Sequence, residues 1–552
     1  MIERSTARAL PVLDLAPAPS RSLWPPADPA DARLVEYRPE AAVLPSFFVW
    51  TLGCQMNRSD SEEMAGRLMA AGCRETNALE AADLILINTC AIREAAEQKV
   101  IGRQGHLARL KHANPALRIV LTGCAVRERD RAGLRRRFPA VDLFLRPDEE
   151  PELVDRLGLA SAQAPIGAVR GGTIGATTMV GTTVVGVADR LAATRADAVG
   201  AGAVARSSAT SAWLPIVYGC DKTCAYCIVP FSRGPERSRP FDDILAEARS
   251  LASAGYREVT LLGQNVNSYG HDLPAEARFG HIATERRTGR RLDLHARPDL
   301  AELLRAIDGL RTADGAPAIP RVRFLTSHPW DLSDRLIAAM AECPSVCEHL
   351  HLPVQSGDDA VLRRMGRQYA IEHYLERLAA IHAAVPGIAI STDVIVGFCG
   401  ETESQFEATL ELLQSVRYDQ VFAAAFSPRP GTPAARLPDD VPPAEKRRRL
   451  NILLDLQEEI GLERNRAWLG RPTEVLVESI VPPRGHDHDA DDNGGGPPAP
   501  ARPAVPIGHE HLSGRSREGK LVHLAGDPAL VGRLVRVAVQ HAGPYALRGV
   551  LA

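Results

Sequence analysis

The sequence has few aromatic residues and almost no net charge, and both facts limit its possible partners. Phe, Trp and Tyr make up 5% of the 552 residues, too few for a long surface on which nucleic-acid bases stack. The formal net charge is −3, so the chain as a whole does not attract a polyanion. Any nucleic-acid site therefore has to be a local basic patch.

Long hydrophobic runs are also missing. The longest stretch of small apolar residues, from Gly175 to Ala188, is interrupted by threonine and glycine and is too short to span a bilayer. The first residues, Met1 to Ser5, lack the basic-then-apolar order of a signal peptide. We therefore expect a cytoplasmic protein with no membrane association. In that compartment the ten cysteines stay reduced, so clusters of them indicate metal or redox sites.

Composition divides the chain into segments. A length of 552 residues predicts two to four domains, and 45% hydrophobic with 24% charged residues is typical of globular proteins. Residues 1–45, rich in proline and alanine, are expected to be a disordered extension, and residues 161–205 a low-complexity linker. The predicted ordered blocks are 46–160, 206–465 and 466–552, the last interrupted by an acidic Gly/Pro-rich loop at 484–506.

The first ordered block alternates strands and helices, which predicts an α/β unit with a parallel sheet. Three predicted strands each end directly before a cysteine, at Cys54, Cys90 and Cys124. The carboxyl ends of parallel strands meet at one edge, where ligands bind. We therefore expect these thiols to converge on one site, the alternative being three unrelated buried thiols.

The other two blocks also have recognisable strand patterns. The second block predicts a partial (β/α)6 barrel with its chemistry at the carboxyl ends of the strands. Its six predicted strands are 215–218, 258–262, 321–325, 349–353, 389–396 and 420–426. The third block has strand-like runs separated by glycine, at 473–478, 521–524 and 534–538, which predict a small β-barrel. The expected fold class is therefore α/β, with a parallel-sheet domain, a partial barrel and a small β-barrel.

A second group of cysteines is close in sequence. Cys220, Cys224 and Cys227 form the pattern C-x3-C-x2-C. Three thiolates on one loop can bind three irons of a [4Fe–4S] cluster, which leaves the fourth iron open to an outside ligand. The alternative is a zinc loop, which would need a fourth protein ligand nearby, and none is obvious.

These motifs carry a family resemblance. The C-x3-C-x2-C pattern, with Tyr226 before its last cysteine, resembles the radical S-adenosylmethionine superfamily. Around it and around the other three cysteines, residues 46–155 and 212–480 resemble the MiaB-type tRNA methylthiotransferases. The motifs that match, in the family's order, are Gly53-Cys54-Gln55-Met56-Asn57, Asn88-Thr89-Cys90-Ala91-Ile92-Arg93-Glu94, Gly123-Cys124-Ala125, Arg233-Gly234-Pro235-Glu236-Arg237-Ser238-Arg239, Leu262-Gly263-Gln264-Asn265, Thr326-Ser327-His328-Pro329 and Leu352-Pro353-Val354-Gln355-Ser356-Gly357.

The resemblance implies two [4Fe–4S] clusters. Cys54, Cys90 and Cys124 would hold an auxiliary cluster, and Cys220, Cys224 and Cys227 a radical cluster. One S-adenosylmethionine molecule would supply a methyl group to sulfur at the auxiliary cluster. Another would be cleaved to a 5′-deoxyadenosyl radical that removes the C2 hydrogen of N6-isopentenyladenosine beside the anticodon, giving the 2-methylthio derivative. The implied partners are a tRNA that carries N6-isopentenyladenosine and an electron donor such as flavodoxin or ferredoxin.

The resemblance also suggests which residues contact ligands. Those implied to bind S-adenosylmethionine are Tyr226, Gly263, Gln264, Asn265, Gly397 and Glu401. A simple core aromatic is the alternative for the tyrosine, and a tight turn is the alternative for Gly397. No catalytic residue beyond the cluster ligands is identified. Three arginines are candidates for RNA phosphate contacts, with a solvated loop as the alternative: Arg233, Arg237 and Arg239.

The last block resembles a TRAM domain, a small RNA-binding barrel. From Ile507 onward its basic residues predict a positive face for the tRNA backbone, although an ordinary charged surface is the alternative. These residues are Arg515, Arg517, Lys520, Arg533, Arg536 and Arg548.

Two other functions remain open. One is a methylthiotransferase with another target, either threonylcarbamoyl-adenosine in tRNA or an aspartate on a ribosomal protein. By family analogy, Gln55-Met56-Asn57 argues against the ribosomal-protein branch, and Ala91-Ile92-Arg93-Glu94 favours isopentenyladenosine. The other is a non-catalytic RNA-binding protein with structural zinc, which would be colourless, whereas iron–sulfur clusters make a protein brown.

Overall fold

The computed structural model describes most of the chain. The described residues are 45–90, 94–127, 131–159, 184–187, 202–279, 281–284, 291–294, 297–481 and 510–552. The predicted loop at 484–506 and, apart from residue 45, the predicted N-terminal extension lie outside these ranges. Within them, no helix has both the length and the apolar composition needed to cross a bilayer.

The first unit is a five-stranded parallel sheet with helices on both faces. Its elements are β1 (Ser46–Leu52), α1 (Gln55–Ala70), β2 (Arg74–Glu75), β3 (Leu84–Thr89), α2 (Glu94–Ala113), β4 (Arg118–Thr122), α3 (Arg131–Arg137), β5 (Leu143–Phe144) and α4 (Leu153–Arg156). The strand order is β2-β1-β3-β4-β5. The central strand β3 is buried along its whole length because alternate residues enter two separate cores, one on each face.

Two further strands lie in the segment whose composition predicted only a linker. They are β6 (Val184–Val187) and β7 (Gly202–Ala205), which pair antiparallel. Val204 and Ala205 of β7 are buried, and β7 packs against α1. The end of this segment is thus part of the packed structure and joins the first unit to the second.

The central unit follows the predicted alternation closely. Its elements are β8 (Ser211–Pro215), β9 (Val217–Tyr218), α5 (Val229–Ser232), β10 (Arg237–Ser238), α6 (Phe241–Ser253), β11 (Glu258–Leu262), β12 (His281–Thr284), β13 (Arg291–Leu294), α7 (Leu300–Asp308), β14 (Arg321–Phe324), α8 (Asp334–Glu342), β15 (His349–His351), α9 (Asp359–Arg364), α10 (Ile371–Ala384), β16 (Ala389–Val396), α11 (Glu403–Val416), β17 (Gln420–Ala425) and α12 (Pro443–Arg466). Four of the helices begin at side-chain caps, namely Asp299, Ser333, Asp358 and Thr402.

Six of these strands form the partial barrel. They lie in two parallel three-stranded sheets, β8-β11-β14 and β15-β16-β17. An isolated parallel bridge between Val322 and Val346 connects the two sheets. A single large apolar core fills the space between the sheets and the helices. The predicted partial (β/α)6 barrel is confirmed, but its first strand is Ser211–Pro215 and not 215–218. Val217–Tyr218 pairs antiparallel with β10 instead.

The last unit is a closed five-stranded barrel, as predicted. Its strands are β18 (Pro472–Ile480), β19 (Glu510–Ser516), β20 (Leu521–Gly526), β21 (Leu534–Ala542) and β22 (Ala546–Leu551), in the order β18-β19-β20-β22-β21. The sequence patterns missed β19 and β22. Valine and leucine side chains fill the barrel interior.

The turn between β19 and β20 packs against the amino ends of the central barrel strands. Arg323 donates to the carbonyl oxygens of Ser516 (2.6 Å) and Arg517 (2.8 Å). Arg321, which is completely buried, donates to the carbonyl oxygens of Arg515 (2.7 Å) and Glu474 (3.0 Å). The small barrel is therefore attached to the end of the central barrel that is opposite the strand carboxyl ends.

Candidate functional site

The first three cysteines lie at one edge of the N-terminal sheet. β1, β3 and β4 are neighbours, and Cys54, Cys90 and Cys124 follow their carboxyl ends. The loops approach so closely that a Cβ added to Gly53 would lie 2.9 Å from the Cβ of Cys90. A Cβ on Gly123, whose φ is +92°, would lie 2.3 Å from the carbonyl oxygen of Thr89. The three loops therefore lie against each other at this edge of the sheet.

The second three cysteines lie on one loop after β9. The loop is tightened by a turn in which the amide of Cys227 donates to the carbonyl of Cys224 at 3.0 Å. The amide of Ala225 donates to the carbonyl of Met365 at 2.7 Å, which ties the loop to the end of α9. Gly219, just before the loop, has φ of +72° and no room for a side chain against the carbonyl of Pro235.

The two cysteine groups face each other. The pKa of the Cys227 thiol is raised to about 12, mainly by burial and in smaller part by the neighbouring thiols Cys224, Cys220 and Cys124. Cys124 belongs to the other group, so the two sets are near enough to interact electrostatically. Burial likewise raises the pKa of Cys124, and the nearby Cys54 adds to the effect. The amino-terminal sheet and the central barrel thus bring their cysteine loops to a common interface.

The donor chemistry of both groups fits iron–sulfur clusters. In the described ranges, no three His, Cys, Asp or Glu side chains converge tightly enough to bind a single metal ion. A [4Fe–4S] cluster does not need such convergence, because each cysteine binds a different iron. A structural zinc ion would require four donors around one point. Three thiols on neighbouring loops are the donor type that an iron–sulfur cluster uses.

The residues implied to bind the cofactor fall into two groups. Gln264 and Asn265 follow the carboxyl end of β11, near the second cysteine loop. The Oε1 atom of Gln264 is buried and accepts no hydrogen bond from any described residue. Asn265 is held on both sides, since it donates to Asp331 at 2.7 Å and accepts from the amide of His328 at 3.1 Å. Gly263 packs so closely on Val217 that a Cβ there would collide with it.

The remaining implied residues lie on the far side of the barrel and beside the second cysteine loop. Glu401 is buried, and its carboxylate accepts from the amide of Gly397 (2.6 Å) and from Arg449 (2.8 Å). Both hydrogen bonds join Glu401 to other residues of the chain. Gly397, with φ of +69°, occupies the tight turn that these hydrogen bonds stabilise. The hydroxyl of Tyr226 accepts from Arg367 at 3.4 Å.

Two of the three arginines offered as RNA contacts are placed differently. Arg233 is buried beside Cys124, and Arg239 is buried against Glu247, 2.9 Å away. Neither reaches the surface, so for these two residues the prediction was wrong. Arg237, in β10, is partly exposed. For Arg233 the motif carries no sign of burial, because its partners Cys124 and Asp60 are more than 100 positions away in the sequence. The partner of Arg239 lies in α6, the helix that follows it directly.

The basic face predicted for the last unit is also smaller than expected. Arg517 pairs with Glu348 at 2.7 Å, and Lys520 pairs with Asp419 at 2.8 Å, both in the central unit. These two side chains form ion pairs between the units, so they are not part of a free basic face for RNA. Of the others, Arg533 and Arg536 are exposed, and Arg515 lies 3.6 Å from Glu478.

Sequence reasoning missed a third buried arginine. Arg367 lies between the second cysteine loop and the barrel, where it donates to Cys224 Sγ at 3.4 Å and to the carbonyl of Pro353 at 2.9 Å. Lys222, inside the cysteine loop, pairs with Asp331 at 2.7 Å. Both residues fix the loop relative to the strand ends. For Lys222 the available signal was its place two residues after Cys220, whereas Arg367 is 143 positions from Cys224 and carries no local signal.

Comparison with known proteins agrees with this arrangement. Residues 214–413 match the model of the radical SAM superfamily, and residues 46–146 match that of the uncharacterized protein family UPF0004. A tRNA-2-methylthio-N(6)-dimethylallyladenosine synthase of Thermoanaerobacter sp. is 37% identical over 92% of this chain and 92% of its own length. A protein of the same description from Clostridium botulinum is 38% identical over 91% of this chain and 96% of its own.

Among solved structures, the radical S-adenosylmethionine methyltransferase TsrM of Kitasatospora setae aligns with a TM-score of 0.46 at 15% identity. The alignment covers 71% of this chain and 74% of that one. The long, near-complete matches to the curated relatives establish the family. The chain belongs to the tRNA-2-methylthio-N(6)-dimethylallyladenosine synthases, which are radical S-adenosylmethionine methylthiotransferases.

Proposed function

We propose that this chain converts N6-isopentenyladenosine to 2-methylthio-N6-isopentenyladenosine in tRNA, at the position next to the anticodon. The observation that carries the proposal is the proximity of two three-cysteine groups, one at the carboxyl ends of β1, β3 and β4 and the other on the loop after β9. Such an arrangement suits a reaction in which two cofactors act on one substrate atom. The names of the relatives supply the substrate class, tRNA.

In this proposal each group of cysteines holds one [4Fe–4S] cluster. Cys54, Cys90 and Cys124 hold the auxiliary cluster, and the radical cluster is held by Cys220, Cys224 and Cys227. When bound, the clusters and S-adenosylmethionine supply the electron, the methyl group and the sulfur that the overall reaction needs. The protein supplies the thiols, the orientation of the ligands and the exclusion of water.

Burial differs among the cysteines in a way that suggests where the substrate approaches. Cys90 and Cys124 are 1% exposed and Cys220 is 8% exposed. Cys54, Cys224 and Cys227 are more accessible, and they come from both groups. We infer that the adenine enters on this accessible side, while the buried thiols anchor the far side of each site and keep water away.

Gln264 has a defined task in this proposal. Its buried Oε1 has no donor among the described residues, so an incoming ammonium group could complete its hydrogen bonding. S-adenosylmethionine carries such a group. Asn265 and Gly263 shape the same wall, and Tyr226 lies beside the radical-site cysteines. Glu401 and Gly397 act from a distance, by fixing the turn after β16.

The remaining partners follow from the same function. The tRNA backbone would contact exposed basic residues of the last unit, with Arg533 and Arg536 as the candidates that are not used between units. The electron would come from a protein donor such as flavodoxin or ferredoxin. We place the enzyme in the cytoplasm, where its tRNA substrate is.

Mass spectrometry of nucleosides tests the proposal. tRNA that carries N6-isopentenyladenosine is incubated anaerobically with the reconstituted protein, dithionite and S-adenosylmethionine. The 2-methylthio nucleoside should appear with the wild-type protein and be lost in Cys54→Ala and Cys224→Ala. Cys73→Ala is the matched control, because Cys73 is buried in the core of the first unit outside both groups.

Other results would redirect or overturn the proposal. If 5′-deoxyadenosine forms but the tRNA is unchanged, the substrate is wrong, and threonylcarbamoyl-adenosine tRNA and the ribosomal protein become the next candidates. If the anaerobically purified protein contains zinc and no iron, it is not an enzyme of this type.

A further inference from the structure

Arg233 is the first charged residue after the radical-site cysteine loop. It follows α5, six positions after Cys227, and its amide donates to the carbonyl of Val229 at 2.8 Å. The side chain is only 5% exposed. A buried guanidinium is unfavourable unless its donors are used and its charge is balanced, so its partners indicate why it is there.

The partners of Arg233 belong to the other cysteine group. Its Nε donates to Cys124 Sγ at 3.1 Å, and its Nη2 donates to the Asp60 carboxylate at 2.5 Å. Cys124 follows β4 and Asp60 lies in α1, so both come from the first unit. One side chain of the central unit therefore reaches across the interface and holds a thiol of the opposite site.

The charges around this contact make it strong. Glu150 is 7% exposed, accepts from the hydroxyl of Thr122 at 2.6 Å, and interacts electrostatically with both Asp60 and Arg233. Arg233 thus lies among two buried carboxyl groups and one sulfur. Hydrogen bonds of this kind, between an ionised donor and a buried acceptor, are short and resist rearrangement.

We propose that Arg233 is a positioning residue for the auxiliary site: it fixes the Cys124 sulfur and raises the reduction potential of the cluster bound there. The inference rests on the proposed function, because it assumes a cluster on Cys54, Cys90 and Cys124. Hydrogen bonds to ligand sulfurs and nearby positive charge favour the reduced form of an iron–sulfur cluster, which carries one more negative charge.

The contact has a second consequence for the geometry. Because only five residues, four of them in α5, separate Arg233 from Cys227, its hydrogen bond to Cys124 also fixes the distance between the two sites. A substrate atom that must meet both cofactors requires a constant separation. Arg233 is suited to supply it, since Asp60 holds the other side of the guanidinium.

Redox titration of the auxiliary cluster alone tests the proposal. The full chain is prepared with Cys220→Ala, Cys224→Ala and Cys227→Ala, so that one cluster remains, and its potential is followed by electron paramagnetic resonance. Adding Arg233→Gln should change the oxidised-to-reduced ratio at a given potential at least tenfold. For one electron, this means that the reduction potential falls by about 59 mV or more. Arg233→Lys keeps the charge and should shift it less. Arg237→Gln, a change on the same segment, should leave it unchanged.

Each result has a definite meaning. An unchanged potential in Arg233→Gln, with the same iron content as the parent, overturns the role of Arg233 and leaves the proposed function intact. If Arg233→Gln cannot hold iron, Arg233→Lys decides. Lysine keeps the charge but cannot contact both Cys124 and Asp60, so the potential should still fall, by less than in Arg233→Gln, and an unchanged potential there overturns the role. If the parent with three alanines contains no iron, the auxiliary site itself is wrong and both proposals fail.

Discussion

Asn57 and Asn88 bind each other through both of their side chains in the interior of the first unit. Asn57 Nδ2 donates to Asn88 Oδ1 at 2.7 Å, and Asn88 Nδ2 donates to the carbonyl of Asn57 at 2.8 Å. Both residues are completely buried. Since one lies three positions after Cys54 and the other two positions before Cys90, the pair holds these two cysteine loops in register.

Replacing Asn88 should loosen that register. Asn88→Ala leaves buried amide groups of Asn57 without partners, which costs about 1–3 kcal/mol of the free energy of unfolding. We expect a lower urea midpoint and less iron bound per chain, with the loss confined to the auxiliary site. Asn451→Ala, at an exposed position of α12, is the control and should change stability by less than about 0.5 kcal/mol. Equal iron content in both variants would contradict the prediction.

Two glycines beside the radical-site loop provide a matched pair. Gly219 and Gly234 have φ of +72° and +77°, so alanine at either position costs roughly 1–2 kcal/mol of backbone strain. Only at Gly219 would the new Cβ also collide, 2.1 Å from the carbonyl of Pro235, whereas Gly234 has open space. Gly219→Ala should therefore abolish cleavage of S-adenosylmethionine, measured as 5′-deoxyadenosine, and Gly234→Ala should retain most of it. Similar losses of 5′-deoxyadenosine formation in the two variants would show that the backbone strain, and not the collision, causes the loss.

Arg323 should be important for stability, at the end of the central barrel opposite the two cysteine groups. Besides its two contacts with the last unit, it donates to the buried Glu258 at 2.9 Å. Arg323→Met leaves that carboxylate buried and unpaired, which destabilises a protein by about 3–5 kcal/mol. Urea unfolding should show this loss, and limited proteolysis should cleave the last unit sooner. The double variant Arg323→Met with Glu258→Gln should recover part of the loss, because no unpaired charge remains; no recovery would mean that the contacts with the last unit dominate.

His349 should make stability depend on pH between 7 and 5. Burial, with Arg323 and His351 nearby, lowers its pKa to about 3. The unfolded chain, with an ordinary histidine pKa near 6.5, binds more protons in this range, so stability is complete above about pH 6.5 and falls as the pH decreases. For one such histidine the loss at pH 5 is about 2 kcal/mol. Denaturant titrations at pH 7 and pH 5 should show that His349→Gln reduces this difference by about that amount, and that the exposed His112→Gln does not.

Gln264 offers a direct test of the proposed S-adenosylmethionine site. Gln264→Leu removes the buried acceptor and should raise the Kd of S-adenosylmethionine about tenfold or more, since a hydrogen bond to a charged group contributes about 1.5–3 kcal/mol. Gln264→Glu keeps an oxygen in place and adds a negative charge, so it should bind at least as tightly as the wild type. Calorimetry on the reconstituted protein measures both constants. Equal affinities in the leucine and glutamate variants would show that Gln264 does not meet the ammonium group.

The parts of the fold that could be predicted from sequence are those encoded locally. The strands β11 and β16 begin and end where the patterns placed them, because the hydrophobic pattern lies within each element. The strand-end position of Cys54, Cys90 and Cys124 followed from the same short-range reading. The closed barrel was predicted although β19 and β22 were missed, and these two strands have weak apolar alternation.

What the sequence did not reveal depends on contacts between distant residues. Arg233 and Arg517 look like surface charges in their own segments, and the residues that bury them lie 109 or more positions away. Arginine side chains are usually exposed to solvent, so local composition predicts an exposed position for both residues. Charges that join units can be recognised only when the units have been placed together.

The seating of the β19–β20 turn on Arg321 and Arg323 has a consequence for biosynthesis. A ribosome releases the central strands well before residues 515–517 emerge, and until then the two guanidinium groups lack the carbonyl oxygens that bind them. The central barrel can therefore reach its final stability only after the last unit has been translated and has folded against it. A nascent chain stalled before that point would leave these two buried guanidinium groups without their carbonyl partners.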